Sequence, residues 1–257
     1  MSATRRHWLS GLLLTATGVA LAACDRLTVN PAVQKGLASA EGLNRHLQRL
    51  VVDRTALAQE FPEHQISRDF RPNGSISPAD TEYRALVEAG FADWRLVIDG
   101  LVERPLSLSL GELRLEPART QITRHDCVEG WSAIGKWTGA RLGSLLDKAG
   151  LKPSARYVVF HCADTLDPNA PEGLGRYYES IDLIDAYHPQ TILAYDMNGA
   201  PLPVAHGAPV RLRVERQLGY KHAKYVMRVE AVADLAGLGG GKGGFWEDRG
   251  YEWYAGI

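Results

Sequence analysis

The sequence predicts an α+β protein with mixed β-sheets and a few inserted helices. Many short runs read as strands, whereas only three stretches carry helical spacing. The 26 Gly and 13 Pro among 257 residues favour frequent turns over a long helical bundle. No Gly-rich turn joins a strand to a helix, so neither a dinucleotide fingerprint nor a P-loop is present. With 45% hydrophobic residues the chain has enough apolar side chain for a sizeable core.

The elements follow in order. Leu37, Leu43, Leu47, Leu50 and Leu57 place a helix within Gly36 to Ala58. Phe61 to Asp80 is irregular, broken by Pro62, Pro72, Asn73-Gly74 and Pro78. Thr81 to Ala89 reads as a short helix, and Trp94 to Ile98 as a strand ended by the hairpin signal Asp99-Gly100. Leu106 to Leu110, Gln121 to Thr123 and Tyr157 to His161 are further strands. Leu142 to Ala149 is a helix closed by Gly150 and followed by Pro153. Tyr178 to Ile181, Thr191 to Tyr195, Val210 to Val214 and Tyr225 to Val232 complete the strands, with a turn at Asn198-Gly199. Gly237 to Gly244 holds six Gly in eight residues and reads as a flexible loop before an aromatic end. The expected organisation is a segment 1–23, a linker with helices over 24–90, one catalytic domain over 91–236 and a Gly/aromatic tail over 237–257.

The first segment reads as an address. Arg5-Arg6 precede an uncharged stretch from Gly11 to Ala23, shorter than the roughly 20 residues a membrane span needs. A basic start, a short apolar run and a small-residue end describe an export signal. The paired arginines resemble the twin-arginine type, which carries proteins already folded. Leu21-Ala22-Ala23-Cys24 resembles a bacterial lipoprotein box, in which Cys24 becomes the lipidated first residue; a plain cleaved signal is the alternative. The expected location is periplasmic, with a lipid anchor on a membrane. The 29 Lys+Arg against 30 Asp+Glu exclude a broadly basic surface for nucleic acid. Folded export also favours a cofactor acquired in the cytoplasm.

Two clusters carry candidate chemistry. Arg124-His125-Asp126-Cys127-Val128-Glu129-Gly130-Trp131 crowds a thiol with ionisable neighbours, and nearby cations lower a thiol's pKa. A lone Cys is nevertheless more often inert and buried than functional. The second cluster runs from His206 through Arg211 and Arg213 to Lys221, His222 and Lys224. Arg211 and Arg213 fall on one strand face, and four converging cations would form an anion site. Gly207 and Gly219 would let backbone N–H groups approach a ligand. A solvated charged strand face is the competing reading.

These segments, with Trp137-Thr138-Gly139 and Leu142-Gly143-Ser144-Leu145-Leu146 between them, resemble the sulfite oxidase fold family of molybdopterin enzymes. The likeness runs from about Asp93 to Val232, with weaker support at Phe70 to Gly74, and its specificity lies in the order of the motifs. The resemblance implies molybdenum-molybdopterin as cofactor, with Cys127 as the metal ligand beside the two pterin dithiolene sulfurs. It nominates His206, Arg211, His222, Ala223 and Lys224 for the pterin and its phosphate, and Asn73 and Cys162 for further pterin contacts. It implies a sulfite oxidase-like fold in a single domain without the immunoglobulin-like dimerisation domain. Val128-Glu129-Gly130-Trp131 is more similar to the bacterial periplasmic sulfoxide-reductase branch than to the Gly-Asn-Arg-like stretch of sulfite oxidases proper. His206 stands where that branch has Asn, and the tail also departs from it.

The expected function is therefore oxo transfer at a Cys-ligated molybdenum, acting on a small S-oxide or related compound, with electrons from a membrane-bound or periplasmic donor. A monomer without a nucleic-acid partner is expected. The alternatives are a sulfite-oxidising enzyme, a non-catalytic pterin-binding or electron-relay subunit, and a Cys hydrolase pairing Cys127 with His125 or a distant His. Cys127 and Cys162 are expected not to form a disulfide, which would remove the metal ligand.

Overall fold

The computed structural model describes residues 30–257. Residues 1–23 and Cys24, and with them the export and lipidation expectations, lie outside the described residues. Helix α1, Pro31–Val51, belongs to one compact unit and residues 53–257 form the other. The α1 helix begins earlier than the leucine spacing indicates because Asn30 caps it, accepting from the Ala32 N–H at 2.9 Å, and Pro31 opens its first turn. It stops at Val51 because the backbone turns extended at Val52. Among the described residues no helix is long and apolar enough to cross a membrane.

The larger unit contains α2 (Thr81–Glu88), β1 (Arg95–Gly100), β2 (Leu106–Ser109) and α3 (Leu110–Arg114). The chain continues through β3 (Ala118–Asp126), β4 (Ser132–Arg141), α4 (Leu142–Ala149), β5 (Tyr157–Thr165), β6 (Arg176–Asp182) and α5 (Leu183–Ala186). It ends with β7 (Ile192–Met197), β8 (Ala200–Pro201), β9 (Arg211–Arg213) and β10 (Val226–Val232). One sheet has the order β2-β1-β10-β5-β6; the other runs β3-β4-β7-β8, with β9 also paired to β7. Among the described residues only β1 and β10 pair in parallel, so the first sheet is mixed as expected and the second is antiparallel throughout. Leu96 and Ile98 of β1, Phe160 of β5, Val229 of β10, Leu145 and Leu146 of α4, and Leu193 and Leu212 of β7 and β9 share one core. Both sheets therefore depend on the same buried apolar surface.

Strand β4 is the element that the sequence pattern conceals. Its inward positions are Ala133, Gly135, Trp137 and Gly139, which lack the β-branched character that marks a strand. Their smallness has a cause. A Cβ at Gly139 would overlap the Leu193 carbonyl of β7, and one at Gly135 would lie 3.1 Å from the Trp137 ring. Asp99-Gly100 ends β1 but makes no two-residue hairpin, since β2 starts only at Leu106. Gly100 lies instead against the Ala231 carbonyl of β10, at a φ of +80°.

The boundaries expected at 90/91 and 236/237 do not divide the compact unit. Phe61 N–H donates to the Ile122 carbonyl at 2.9 Å, Ser67 N–H to Ile134 at 3.0 Å, and Tyr83 O–H to Ala208 at 2.6 Å. These long-range bonds bind the irregular segment and α2 to β3, β4 and the β9 approach. The Gly-rich tail is likewise anchored rather than a free loop. The Asp248 carboxylate accepts from Gly240 N–H at 2.7 Å, Lys242 N–H at 3.0 Å and Tyr178 O–H at 2.6 Å.

Gly139→Ala should push β4 away from β7 and destabilise the fold by about 3 kcal/mol. Urea unfolding measures this directly; an unchanged midpoint would show that the β4–β7 approach tolerates a methyl group.

Candidate cofactor and active site

A cleft opens where the β3–β4 hairpin tip, the Asn73–Ser75 loop, the end of β5, the Gly219–Lys224 turn and the tail meet. Its lining includes Asn73, Ser75, Cys127, Glu129, Asp164, Tyr177, Tyr220, His222, Lys224, Trp246 and Tyr251. Cys127 is placed by backbone geometry. Its N–H donates to Trp131 O at 2.9 Å and its carbonyl accepts from Gly130 N–H at 3.0 Å, closing a turn with Gly130 at a φ of +84°. Behind it, Phe70 meets the rings of His125, Trp131, Trp137 and His206 at centroid distances of 5.4–6.3 Å.

The thiol is not activated by its sequence neighbours. Burial pushes Cys127 above the usual thiol range; the Glu129 backbone N–H and the Arg71 charge oppose the rise, and the Glu129 carboxylate adds to it. Arg124 is turned to Asp126 at 2.9 Å, and buried His125 meets Arg213 through Nδ1 at 3.0 Å. Burial, with Arg213 next, drives His125 well below the ordinary imidazole range, so it stands neutral. Among the described residues Cys127 has no hydrogen bond to a His. The Cys hydrolase reading therefore lacks its base, whereas a bound metal deprotonates a thiol outright. Cys127 and Cys162 are both free thiols.

The basic cluster divides into parts with different roles. Arg211 and Arg213 do share a face, both guanidinium groups lying over Trp137 at 5.1 and 4.5 Å. Arg213 is paired with Glu215 at 2.6 Å in full burial. Lys221 is buried between Glu179 and Glu247, so it does not join an anion site. Only Arg211 and Lys224 are buried without a carboxylate within 4 Å among the described residues. Arg211 donates to the His206 and His222 carbonyls at 3.0 and 3.4 Å; Lys224 donates to those of Asn73, Ser75 and Ala205 at 2.6–2.8 Å. They fasten together the loops that carry the other nominated residues. Burial and like charge push Arg211 down to about 9 and Lys224 down to about 7.

The two glycines serve a different purpose from the one expected. A Cβ on Gly207 would lie 2.9 Å from Lys224 Cβ, and one on Gly219 would lie 2.5 Å from His125 Nε2. They admit the chain's own side chains rather than a ligand.

Of the nominated residues, Asn73, Cys127, His222 and Lys224 line the cleft. His206 and Arg211 stand behind it, joined through Arg211. Ala223 is buried with its carbonyl accepting from Leu212 N–H at 2.8 Å, and Cys162 faces the main core. Sequence reasoning missed Asp164, Tyr177, Tyr220, Trp246 and Tyr251. Asp164 was detectable as an acid inside the apolar run of β5, and the tail aromatics as a cluster with no evident core to join.

The unsatisfied atoms of the cleft fit a pterin cofactor. Asn73 Oδ1, Asp164 Oδ1 and His222 Nδ1 are buried without a partner among the described residues. His222 Nε2 meets the Gln217 carbonyl at 3.0 Å, so Nε2 donates and Nδ1 is left as an acceptor. Three buried acceptors suit the amino and ring N–H groups of a pterin, the two unpaired cations suit its phosphate, and the thiol suits a soft metal site. Among the described residues no group of three His, Cys, Asp or Glu converges as a metal cage. Among the described residues the cleft lining offers one sulfur, that of Cys127, in agreement with a cofactor that brings the rest.

Comparison with known proteins decides the family. The Oxidoreductase molybdopterin binding domain matches residues 84–236. The chain belongs to this family of molybdopterin oxidoreductases. It is 37% identical to the putative protein-methionine-sulfoxide reductase subunit YedZ1 of Azospira oryzae, over 95% of this chain and 84% of that protein. It is also 37% identical to the protein-methionine-sulfoxide reductase catalytic subunit MsrP of Xanthomonas campestris, over 55% of this chain and 46% of the relative, so the match spans about half of that relative's length. Among solved structures the sulfane dehydrogenase SoxCD of Paracoccus pantotrophus matches with a TM-score of 0.49 and 26% identity, over 55% of this chain and 39% of that one. The protein is thus an oxidoreductase whose cofactor is molybdenum-molybdopterin. The fit of the cleft agrees.

Lys224 carries a pH signature. Its ordinary value is near 10.5 and its folded value about 7, so between these the unfolded chain binds a proton that the cofactor-free fold does not. Stability from this group is full above about pH 10.5 and is lost as pH falls to about 7. Urea unfolding of cofactor-free protein at pH 7.5 and 9.5 should therefore show wild type gaining on Lys224→Met at the higher pH. A difference independent of pH would mean that Lys224 keeps an ordinary titration.

Proposed function

We propose that the protein reduces a small, uncharged S-oxide, R2S=O taking up two electrons and two protons to give R2S and water. The cofactor, when bound, supplies the two-electron chemistry of oxygen-atom transfer. Cys127 would be the chain's ligand to the metal. Asn73, Asp164 and His222 would accept from the pterin, while Arg211 and Lys224 would set the positive potential for its phosphate. His206 would steady Arg211 through its carbonyl, Ala223 would fix the turn, and Cys162 would support the β5 end from the core.

The observation that carries the substrate choice is the character of the cleft beside Cys127. Its lining there holds Glu129 and the aromatic groups of Tyr220, Trp246 and Tyr251, with no arginine. Arg124, nearest in sequence, is engaged with Asp126, and Arg71, whose charge reaches the thiol, does not line the cleft. An anionic substrate such as sulfite would meet a carboxylate there, whereas a neutral S-oxide would meet apolar ring surface. The relatives named for methionine sulfoxide reduction support the same reading.

Electrons would come from a membrane-bound or periplasmic donor, and the relatives' naming as subunits supports a partner. We further place the mature chain in the periplasm, anchored through Cys24. Cys24→Ala should release it from the membrane fraction; unchanged fractionation would count against the anchor.

The test uses holoenzyme with a reduced donor dye for S-oxides and N-oxides and, in parallel, with an oxidised acceptor dye for sulfite. Wild type should reduce S-oxides and leave sulfite unchanged; sulfite oxidation without S-oxide reduction would overturn the proposal. Cys127→Ala should lose at least about a thousandfold in turnover while keeping its fold and most of its pterin, since it removes a direct metal ligand. Arg211→Ala and Lys224→Ala should purify with less molybdenum, yet turn over nearly normally per bound metal. Full metal with a raised KM alone would assign those two residues to the substrate.

A further inference from the structure

A second buried charge cluster lies beside the cleft without lining it. Glu179 on β6, Lys221 in the turn after β9 and Glu247 in the tail form an ion triad closed to solvent. Lys221 Nζ donates to Glu179 Oε1 and, at 2.6 Å, to Glu247 Oε1. The Trp253 ring covers the ammonium at 5.2 Å, and Ser180 N–H donates to Glu179 Oε1 at 2.7 Å. Two buried carboxylates against one ammonium leave an excess negative charge. Burial and Glu247 push Glu179 well above the carboxylate range, so it keeps its proton and the triad is neutral. Gly244 belongs to the arrangement, because a Cβ there would overlap the Glu247 carboxylate and lie 2.9 Å from Glu179 Oε1.

Each triad member stands next to an aromatic residue of the cleft wall. Tyr177 lies two residues before Glu179 on the same face of β6, Tyr220 precedes Lys221, and Trp246 precedes Glu247. Tyr177 O–H donates to the Tyr220 carbonyl. Trp246 and Tyr251 stack at 5.2 Å and 28°, and Tyr251 meets Tyr220 edge-on at 5.2 Å. Three chain segments remote in sequence thus bring their rings to one wall, and the triad is where those segments are tied.

We propose that Glu179, Lys221 and Glu247 are positioning residues for the substrate wall: they pin the tail to the cofactor turn and hold the Trp246–Tyr251–Tyr220 surface in place. That surface selects S-oxides with an apolar arm over compact ones. The selectivity rests on the S-oxide reading above; the pinning of the tail does not.

The experiment compares wild type, Lys221→Met, the neutral triple variant Lys221→Met/Glu179→Gln/Glu247→Gln and Trp246→Ala, all as molybdenum-loaded protein. Trypsin, which cuts after Lys242 and Arg249, reports tail release, and the KM values for methyl benzyl sulfoxide and dimethyl sulfoxide report the wall. Lys221→Met leaves the buried Glu247 carboxylate, beside the protonated Glu179, without its cation, a strongly unfavourable state. Its tail should be cut much faster than in wild type. Its KM for the benzyl compound should rise about tenfold, against less than twofold for dimethyl sulfoxide, with molybdenum per chain unchanged. The triple variant, having no charge to strand, should recover both properties. Trp246→Ala should reproduce the selective KM rise with a protected tail, and so tests the wall even if Lys221→Met does not fold.

A protected tail in folded Lys221→Met would overturn the pinning. Equal KM changes for both sulfoxides in Trp246→Ala would overturn the selectivity. Absence of S-oxide turnover in wild type would remove the S-oxide reading and the selectivity with it, while the trypsin result still decides the pinning.

Discussion

Arg211 and Lys224 are buried cations whose hydrogen bonds go to backbone carbonyls, with no acid close enough to form an ion pair among the described residues. A charge in that position is unfavourable in the empty fold, as their lowered titration shows. It becomes favourable once an anionic group arrives. The rest of the cleft depends on this constraint. Lys224 gathers the Asn73–Ser75 loop and Ala205, and Arg211 gathers His206 and His222, so the same two side chains assemble the pocket and give it its charge.

The two sheets make that assembly possible. Strand β9 carries Arg211 alongside β7, the following turn returns Lys224 to the start of β10, and β10 pairs with β5, whose end holds Asp164. The β3–β4 hairpin then brings Cys127 to the opposite side of the same cleft. Neutral His125, His206 and His222 surround the buried cations without adding charge: burial drives His222 far down, and His206 is pushed down to about 4. The positive potential is thereby confined to the two groups suited to a phosphate.

Legibility in the sequence followed the range of the interactions. The Cys127 segment, the His206–Arg211 strand and the Gly219–Lys224 turn were readable because each is a short ordered motif. Helix α4 was readable from its periodicity and its closing Gly150. Strand β4 was not, since its inward glycines answer to the approach of β7, which no local pattern records. Lys221 was misread for the same reason: its partners Glu179 and Glu247 lie on another strand and in the tail. The tail itself reads as loose because glycine is abundant, yet Asp248 and the buried Glu247 organise it. The thiol's environment was also misjudged, because proximity in sequence to Arg124 and His125 does not place their charges near the sulfur.

On the function proposed above, the thiolate of Cys127 completes the coordination of a molybdenum held mainly by its own cofactor. Molybdenum X-ray absorption on loaded wild type and Cys127→Ser addresses it most directly, because it counts sulfur neighbours without relying on any substrate. Three sulfur neighbours are expected in wild type and two in the variant, with the metal retained. An unchanged sulfur count in a folded, metal-loaded Cys127→Ser protein would contradict it.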